Sequence, residues 1–321
     1  MTKRERVLAA LAGRRPDHVP CGFSLHFPPE EKAGEAAVAA HLKFFRETDT
    51  DIYKVMNENL VPDCGPIQGP EDWKNLQSLR PDAPFIQDQI ALAKAIRDRW
   101  DGEEGYWLGT LHGITASGIH PYEHRMGYDA ARDLLVTCLR QDEAKVLDGL
   151  KRIAECMCAL AWGYKEAGMD GIYYASLGGE RDRWFTAEEF ARWIAPLDQL
   201  ILSEIRKAGC AAVLHICKDH LDMERYRSYN SCCDVVNWGV YEAPYSIEEG
   251  RALFPDKPVM GGLANHAAPL AEGPVEALAA EVKRLAQTYG PENFILGADC
   301  TLSTGIDRSR VRTVAQALRE I

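Results

Sequence analysis

The feature of this chain that most constrains its fold is a regular alternation of short strand-like segments with longer helical ones. The strand-like segments are rich in β-branched and aromatic residues, whereas the helical segments repeat apolar residues at a period near 3.6. The eight predicted strands span residues 19–27, 51–57, 106–111, 171–176, 212–217, 235–240, 258–263 and 294–300. Strands separated by helices run parallel, because a parallel pair needs a long crossover connection.

The predicted helices precede the first strand and fill the gaps between the others. The first, residues 3–12, is followed by Gly13 and Pro16, which are helix-ending residues. Further helices are expected at 30–47, 86–100, 142–167, 187–207, 274–289 and 307–320, with shorter ones at 221–229 and 247–253. Because residues 113–140 contain Gly118, Pro121 and Gly127, we expect a long loop there that covers the active site and shapes specificity.

Eight strands in this pattern predict an α/β fold, a (β/α)₈ TIM barrel with an N-terminal helical extension. Such a barrel takes about 250 residues, so residues 1–321 fit one barrel domain with its extension. A doubly wound open sheet is the alternative. No Gly-x-Gly-x-x-Gly follows any of the predicted strands, however, and the barrel is the favoured prediction.

Charge and composition exclude several classes of partner. The chain has 37 Lys and Arg against 48 Asp and Glu, a net charge of −11, and no basic stripe, so we expect no nucleic acid partner. No apolar run approaches the roughly 18 residues of a membrane span, and the first residues lead into no signal-peptide core. We therefore expect a soluble cytoplasmic protein whose ten cysteines are reduced and mostly buried as small core residues.

The barrel prediction directs attention to the carboxyl ends of the strands, where such folds carry their active residues. Side chains alternate along a strand, so His215 and Cys217 point the same way, and Cys300 ends the last strand at the same rim. One imidazole and two thiolates suit Zn²⁺ and leave a fourth position open, which is typical of catalytic zinc. The alternative is a hydrogen-bonded core histidine beside two buried thiols.

Other strand ends supply weaker candidates. His112 could orient a substrate or make a structural hydrogen bond, and Asn57 could line the pocket or cap a helix. Tyr174 and Ser176 are candidate substrate-binding residues, although only one face of their strand can see the cavity. Asp219 could hydrogen-bond a metal-ligating histidine or cap the following helix.

Motifs at both ends of the chain resemble those of the uroporphyrinogen decarboxylase superfamily. The opening motifs are RERVLAAL at 4–11 and RPDHVP at 15–20; the closing ones are GGL at 261–263 with Gly273-Pro274, and FILGADC at 294–300. The resemblance covers essentially the whole chain and implies a (β/α)₈ barrel, in agreement with the strand count.

Within that superfamily, the resemblance favours the zinc methyltransferases over the true decarboxylases. Decarboxylases hold substrate carboxylates with Arg-Gln-Ala-Gly-Arg-Tyr after the first strand, where this chain has GFSLHF at 22–27. They also carry Asp-Ser where this chain reads Tyr-Ala-Ser at 174–176. The methyltransferase motif is His-x-Cys with a distant Cys, which His215, Cys217 and Cys300 match, and Glu242 matches a glutamate that can close the zinc shell.

The resemblance implies transfer of a methyl group between a corrinoid and a thiol such as coenzyme M. Zinc would hold that thiol as the nucleophilic thiolate at neutral pH. The chain lacks Asp-x-His-x-x-Gly, the motif whose histidine ligates cobalt, so the corrinoid would arrive on a partner protein or as a free substrate. A decarboxylating lyase of a tetrapyrrole or smaller carboxylate, and a non-catalytic zinc- or tetrapyrrole-binding module, stay open as alternatives.

Overall fold

The computed structural model, which describes residues 1–243 and 245–321, contains a curled seven-stranded sheet in which all neighbouring strands are parallel. The strands follow one another in chain order around the sheet. They are β1 (Ile52–Lys54), β2 (Tyr106–His112), β3 (Gly171–Ser176), β4 (Ala211–Ile216), β5 (Val235–Trp238), β6 (Val259–Leu263) and β7 (Phe294–Ala298). Sequential parallel order with curling is the arrangement of a TIM-barrel-like fold.

The segment predicted as the first of eight strands is not a regular strand but an irregular stretch between the two edges of the sheet. The Gly22 N–H donates to the Leu296 carbonyl at 3.1 Å, and the Ile52 N–H donates to the Cys21 carbonyl at 3.2 Å. Pro20 has no N–H to donate, which limits regular pairing. At Gly22 a Cβ would lie 2.8 Å from the Cβ of Ile52, so only glycine allows this close approach to β1. The segment therefore links β7 to β1 by single bridges.

Helices lie between successive strands for most of the chain. They are α1 (Lys3–Leu11), α2 (Gly34–Thr48), α3 (Pro84–Arg99), α4 (Ile114–Met126), α5 (Tyr128–Gln141), α6 (Glu143–Glu166), α7 (Ala187–Glu189), α8 (Ala195–Lys207), α9 (Ile247–Leu253), α10 (Val275–Tyr289) and α11 (Arg308–Arg319). Segments Pro29–Glu31, Pro70–Ser78 and Met223–Ser231 are 3₁₀-helical, and a π-helical turn over Phe190–Ile194 joins α7 to α8. Within the described residues, no helix combines the length and apolar character that crossing a membrane requires.

The expected long loop over residues 113–140 is the main error of the sequence prediction, because this segment forms α4 and α5. Pro121 lies inside α4, and Gly127, at φ 87°, separates the two helices. Gly127 therefore marks a break between two helices and not an irregular loop, and Pro121 is accommodated within α4. The two helices still lie at the carboxyl ends of the strands, where the loop was expected.

The amino-terminal ends of the strands are covered by α1. Val7 and Ala10 pack into an apolar cluster with inward-facing strand residues such as Ile52, Tyr106 and Met260. Arg6 anchors the helix, donating to Asp17 and to the buried Asp51 at 2.6 Å each. An apolar cluster fills this end of the sheet, and the cavity described below lies at the opposite end.

A buried histidine joins α2 to the residues that follow β1. The His41 ring is 2% exposed; its Nδ1–H donates to the Ala37 carbonyl at 2.7 Å, and its Nε2 accepts from the Met56 N–H at 3.0 Å. Because the ring uses one nitrogen as donor and the other as acceptor, it is neutral. Burial lowers the pKa of His41 from 6.5 to about 4.

We predict that His41 makes the fold less stable as pH falls. Between pH 6.5 and about 4 the unfolded chain binds a proton on His41 that the folded protein excludes, so stability is lost as pH falls through this window and levels off below it. From pH 7 to pH 5 the loss from this one group is about 2 kcal/mol. Urea unfolding at both pH values should show His41→Gln losing about 2 kcal/mol less than the wild type. Equal losses in the two proteins would contradict this role.

Candidate metal centre

Three side chains from two strand ends converge at the carboxyl-terminal rim of the sheet. His215 lies near the end of β4 and Cys217 directly follows it, while Cys300 lies two residues beyond β7. The Sγ atoms of Cys217 and Cys300 are 3.9 Å apart, and the Cys300 Sγ is 3.4 Å from the Nε2 of His215. Among the described residues, this trio is the only group of three or more His, Cys, Asp or Glu whose ligand atoms lie within 4.8 Å of one another.

These distances fit tetrahedral coordination of zinc. With Zn–S bonds of about 2.3 Å and Zn–N bonds of about 2.05 Å, tetrahedral geometry places two sulfurs about 3.8 Å apart and a sulfur and a nitrogen about 3.6 Å apart. The observed 3.9 Å and 3.4 Å lie close to both values. The trio is therefore a candidate three-ligand metal site.

The sulfurs of Cys217 and Cys300 are close enough to hydrogen-bond each other, and either can be the donor. This hydrogen bond and the neighbouring His215 imidazole lower the pKa of Cys300 well below its usual value. The same hydrogen bond raises the pKa of Cys217. Two cysteine sulfurs beside an imidazole form a donor set that favours a soft or borderline cation.

The ring of His215 is supported by Tyr173 from β3. The two ring centroids are 5.0 Å apart and the planes differ by 24°, which is a stacked arrangement. The Tyr173 hydroxyl donates to the Oδ1 of Asn237 on β5 at 2.6 Å. Asp219, a candidate partner for the histidine, instead has an exposed carboxylate 3.8 Å from His220.

The trio opens onto a cavity of about 280 Å³. His112 from the end of β2 lines it, as expected, and its ring lies edge-on to that of His120 with centroids 5.0 Å apart. Burial lowers the pKa of His112 to about 3 and that of His120 to about 4. Both rings are therefore neutral near pH 7 and can offer hydrogen bonds but no charge to a bound molecule.

Lys54 and Tyr173, like His120, line the cavity but were not among the predicted site residues. Lys54, 5% exposed, places its Nζ 3.3 Å from the centroid of the Tyr173 ring, and burial lowers the pKa of Lys54 to about 7. A lysine inside a predicted buried strand was the signal that could have identified Lys54, because unpaired charges are rarely buried. Predicting Tyr173 from the sequence would have required knowing which face of β3 points inward.

Tyr174 and Ser176 lie on the other face of β3 and do not line the cavity. Both hydroxyls donate to the buried carboxylate of Asp198 on α8, from Ser176 at 2.6 Å. They therefore fasten a helix to the sheet, which corrects the expectation that they bind substrate. Asn57 also lies outside the cavity lining, and its Oδ1 accepts from the Asn59 N–H at 3.0 Å as in a turn. Glu242 lies on an exposed turn after β5, outside the ligand group.

The fold and the site together define a TIM-barrel-like α/β protein with a candidate His-Cys-Cys metal centre. The model of the uroporphyrinogen decarboxylase (URO-D) family matches residues 127–321, so the chain belongs to that family. Comparison with curated protein sequences gives no match.

Solved structures share this fold at low sequence identity. A methyltransferase from Methanosarcina mazei is 18% identical, covers 100% of this chain and 99% of its own, and has a TM-score of 0.77. A B12-independent methionine synthase from Shewanella sp. W3-18-1, in complex with selenomethionine, is 13% identical, covers 94% of this chain and 97% of its own, and has a TM-score of 0.60.

The helical pair α4–α5 forms one wall of the cavity and is tied to the sheet by a buried ion pair. Arg132 on α5 donates to both carboxylate oxygens of Glu180, in the segment after β3, at 2.6 and 2.8 Å. The side chains are 1% and 3% exposed, and the guanidinium carbon lies 3.3 Å from the centroid of the Trp184 ring. A bidentate, desolvated pair of this kind fixes geometry and makes the loss of one partner costly.

We predict that Glu180→Ala lowers the free energy of unfolding by about 3–5 kcal/mol, because it leaves the Arg132 charge buried and unpaired. The double variant Arg132→Leu/Glu180→Leu should recover much of this loss, since no charge is then buried. Urea unfolding would measure both. Glu281→Ala, which breaks the bidentate but exposed pair with Arg284, is the matched control and should cost less than about 1 kcal/mol. A small effect of Glu180→Ala would show that the pair does not hold this wall in place.

Proposed function

We propose that this chain is a zinc-dependent methyltransferase that moves a methyl group between a corrinoid and a thiol or other small-molecule acceptor. The observation that carries the proposal is the spacing of His215, Cys217 and Cys300: their ligand atoms lie within 4.8 Å of one another, and the two separations to the Cys300 sulfur are close to those in a zinc tetrahedron. Membership of the URO-D family and a fold shared with a methyltransferase and a methionine synthase support it.

Zinc bound by the trio would hold a substrate thiol as its thiolate at neutral pH. The three residues supply three ligands, and the fourth position would face the cavity, as in catalytic sites. Two anionic sulfurs from the protein reduce the net charge of the centre and leave the substrate sulfur more nucleophilic. For Glu242 to close the resting shell, the exposed turn that carries it would have to move towards the trio; water is the other candidate.

The cavity walls would bind and orient the small substrate. His112 and His120 offer neutral hydrogen-bonding groups, while Lys54, whose pKa burial lowers to about 7, supplies an amino group that is only partly charged at neutral pH. A volume of about 280 Å³ lies just below the usual range of ligand pockets, which is about 300 to 1,000 Å³. The corrinoid, whether on a partner protein or free, would therefore present its methyl group from the cavity mouth.

A carboxy-lyase is the second candidate, because the family is named for a decarboxylase. The cavity volume argues against a tetrapyrrole substrate and leaves a small carboxylate near Lys54 as the form of this alternative. A decarboxylase of this kind needs no metal. Turnover of methylcobalamin with a thiol, followed by visible absorption of the corrinoid, distinguishes the two: transfer that depends on zinc supports the methyltransferase, and its absence with every thiol tested contradicts it.

We predict about one zinc per chain, lost in Cys217→Ala and in Cys300→Ala without unfolding. The trio lies at the rim, whereas the apolar clusters that stabilise the sheet lie elsewhere, so neither thiol is needed for folding. Elemental analysis and thermal unfolding would measure these outcomes. Cys158→Ala, which removes a half-buried thiol on α6, is the control and should keep its zinc. Global unfolding of both rim variants would instead indicate a structural metal.

We predict that a substrate thiol enters the zinc shell and releases a proton. Its apparent pKa should fall from about 8.5 towards neutrality, since it binds as thiolate. X-ray absorption at the zinc edge should gain one sulfur neighbour at about 2.3 Å. Glu242→Gln should retain zinc through the other three ligands, whereas His215→Ala should bind zinc poorly. If no thiol alters the zinc shell or releases protons, the thiol-acceptor mechanism is wrong.

A further inference from the structure

We infer that Tyr173 is a positioning residue that holds the imidazole of His215 in its metal-binding orientation. In this role it replaces the hydrogen bond that usually fixes a ligating histidine. The inference rests on the zinc site proposed above, and it assigns to Tyr173 the orientation of that site's one nitrogen ligand, His215.

The first observation is that the second nitrogen of His215 has no hydrogen-bond partner in the part of the chain that the structure describes. Its Nε2 faces the Cys300 sulfur at 3.4 Å, so Nε2 is the ligand nitrogen. Its Nδ1 is buried and is not hydrogen-bonded to any of the described residues. In most metal sites this nitrogen donates to a carboxylate or carbonyl, which sets the tautomer and the orientation of the ring. Some other contact must therefore orient His215.

The second observation is that the stack on Tyr173 can provide this orientation. The rings are 5.0 Å apart at 24°, so rotation of the imidazole about its Cβ–Cγ bond would break the contact. Tyr173 is itself buried, with 6% exposure, and Lys54 Nζ lies 3.3 Å from the centre of its ring. A ring held in this way presents a fixed surface to the imidazole.

The third observation is that the Tyr173 hydroxyl is fixed by a hydrogen-bond network that reaches β7, the strand that precedes Cys300. The hydroxyl donates to the Asn237 Oδ1 at 2.6 Å. The Asn237 amide then donates to the carbonyls of Met260 and Ala298, at 2.8 and 3.2 Å. Ala298 ends β7, two residues before Cys300. Asn237 thus connects Tyr173, which stacks on the histidine ligand, to the end of β7, which leads to the cysteine ligand Cys300.

The test compares metal binding by variants of two neighbouring tyrosines. Tyr173→Leu removes the stacked ring, Tyr173→Phe keeps the ring and removes its hydroxyl, and Tyr174→Phe removes a buried hydroxyl on the outer face of the same strand. Zinc affinity is measured by competition with a chelator. The visible spectrum of the Co²⁺-loaded protein, taken at saturating metal, reports ligand geometry independently of activity.

We expect Tyr173→Leu to weaken zinc binding about 10–100-fold, the range found when partners of ligating histidines are removed. Its Co²⁺ spectrum should also change, which a purely stabilising role for Tyr173 would not produce. Tyr173→Phe should weaken zinc binding measurably but by less than about tenfold, and Tyr174→Phe should match the wild type. An unchanged affinity and spectrum in Tyr173→Leu would overturn the inference.

If Tyr173→Leu does not fold, Asn237→Ala provides a second test, because it keeps the ring but frees its hydroxyl. Tyr173→Phe and Asn237→Ala should then both weaken zinc binding and shift the Co²⁺ spectrum. Wild-type behaviour in both variants would overturn the inference while leaving the zinc site intact. Failure of the wild-type protein to bind zinc would overturn the proposed function, and this inference with it.

Discussion

Parallel pairing around a curled sheet is the constraint on which the rest of this structure depends. Because every strand runs in the same direction, residues distant in sequence meet at one rim. Cys217 and Cys300 are 83 positions apart in the sequence, yet their sulfurs are 3.9 Å apart. The bridges from residues 21 and 22 connect β7 and β1. The helix α1 fills the opposite end with apolar side chains, and the cavity lies at the carboxyl-terminal rim.

That rim gathers groups that would be costly to bury elsewhere. A buried lysine, two neutral histidines and a pair of neighbouring cysteine sulfurs line one small cavity. Burial of such groups is tolerated where they face a ligand or a metal rather than apolar side chains. The polar groups of the cavity are therefore placed to contact a bound ligand or metal, while the stability of the fold comes from the apolar layers between sheet and helices.

The outer face of the same strands shows how the site is kept in place. Tyr174 and Ser176, on the face of β3 opposite to Tyr173, donate to Asp198 of α8, and the Tyr229 hydroxyl donates to the same carboxylate at 3.0 Å. Burial raises the pKa of Asp198, while these hydrogen bonds oppose that shift. β3 thus supports the candidate site on one face and is anchored to a helix on the other.

Sequence alone determined the positions of seven strands and most helices, because period-two and period-3.6 patterns report which side chains are buried. It also identified the three candidate metal ligands, since alternation places His215 and Cys217 on one face and the parallel fold brings Cys300 to the same rim.

Tertiary structure alone decided which face of β3 points inward, so Tyr173 lines the cavity while Tyr174 and Ser176 do not. A period of two defines two faces of a strand but not which of them is enclosed. Tertiary structure also decided the conformation of residues 113–140. Gly and Pro predicted a loop there, but packing against α6 and the sheet stabilises two helices. Burial in the tertiary structure outweighs local propensity in this segment.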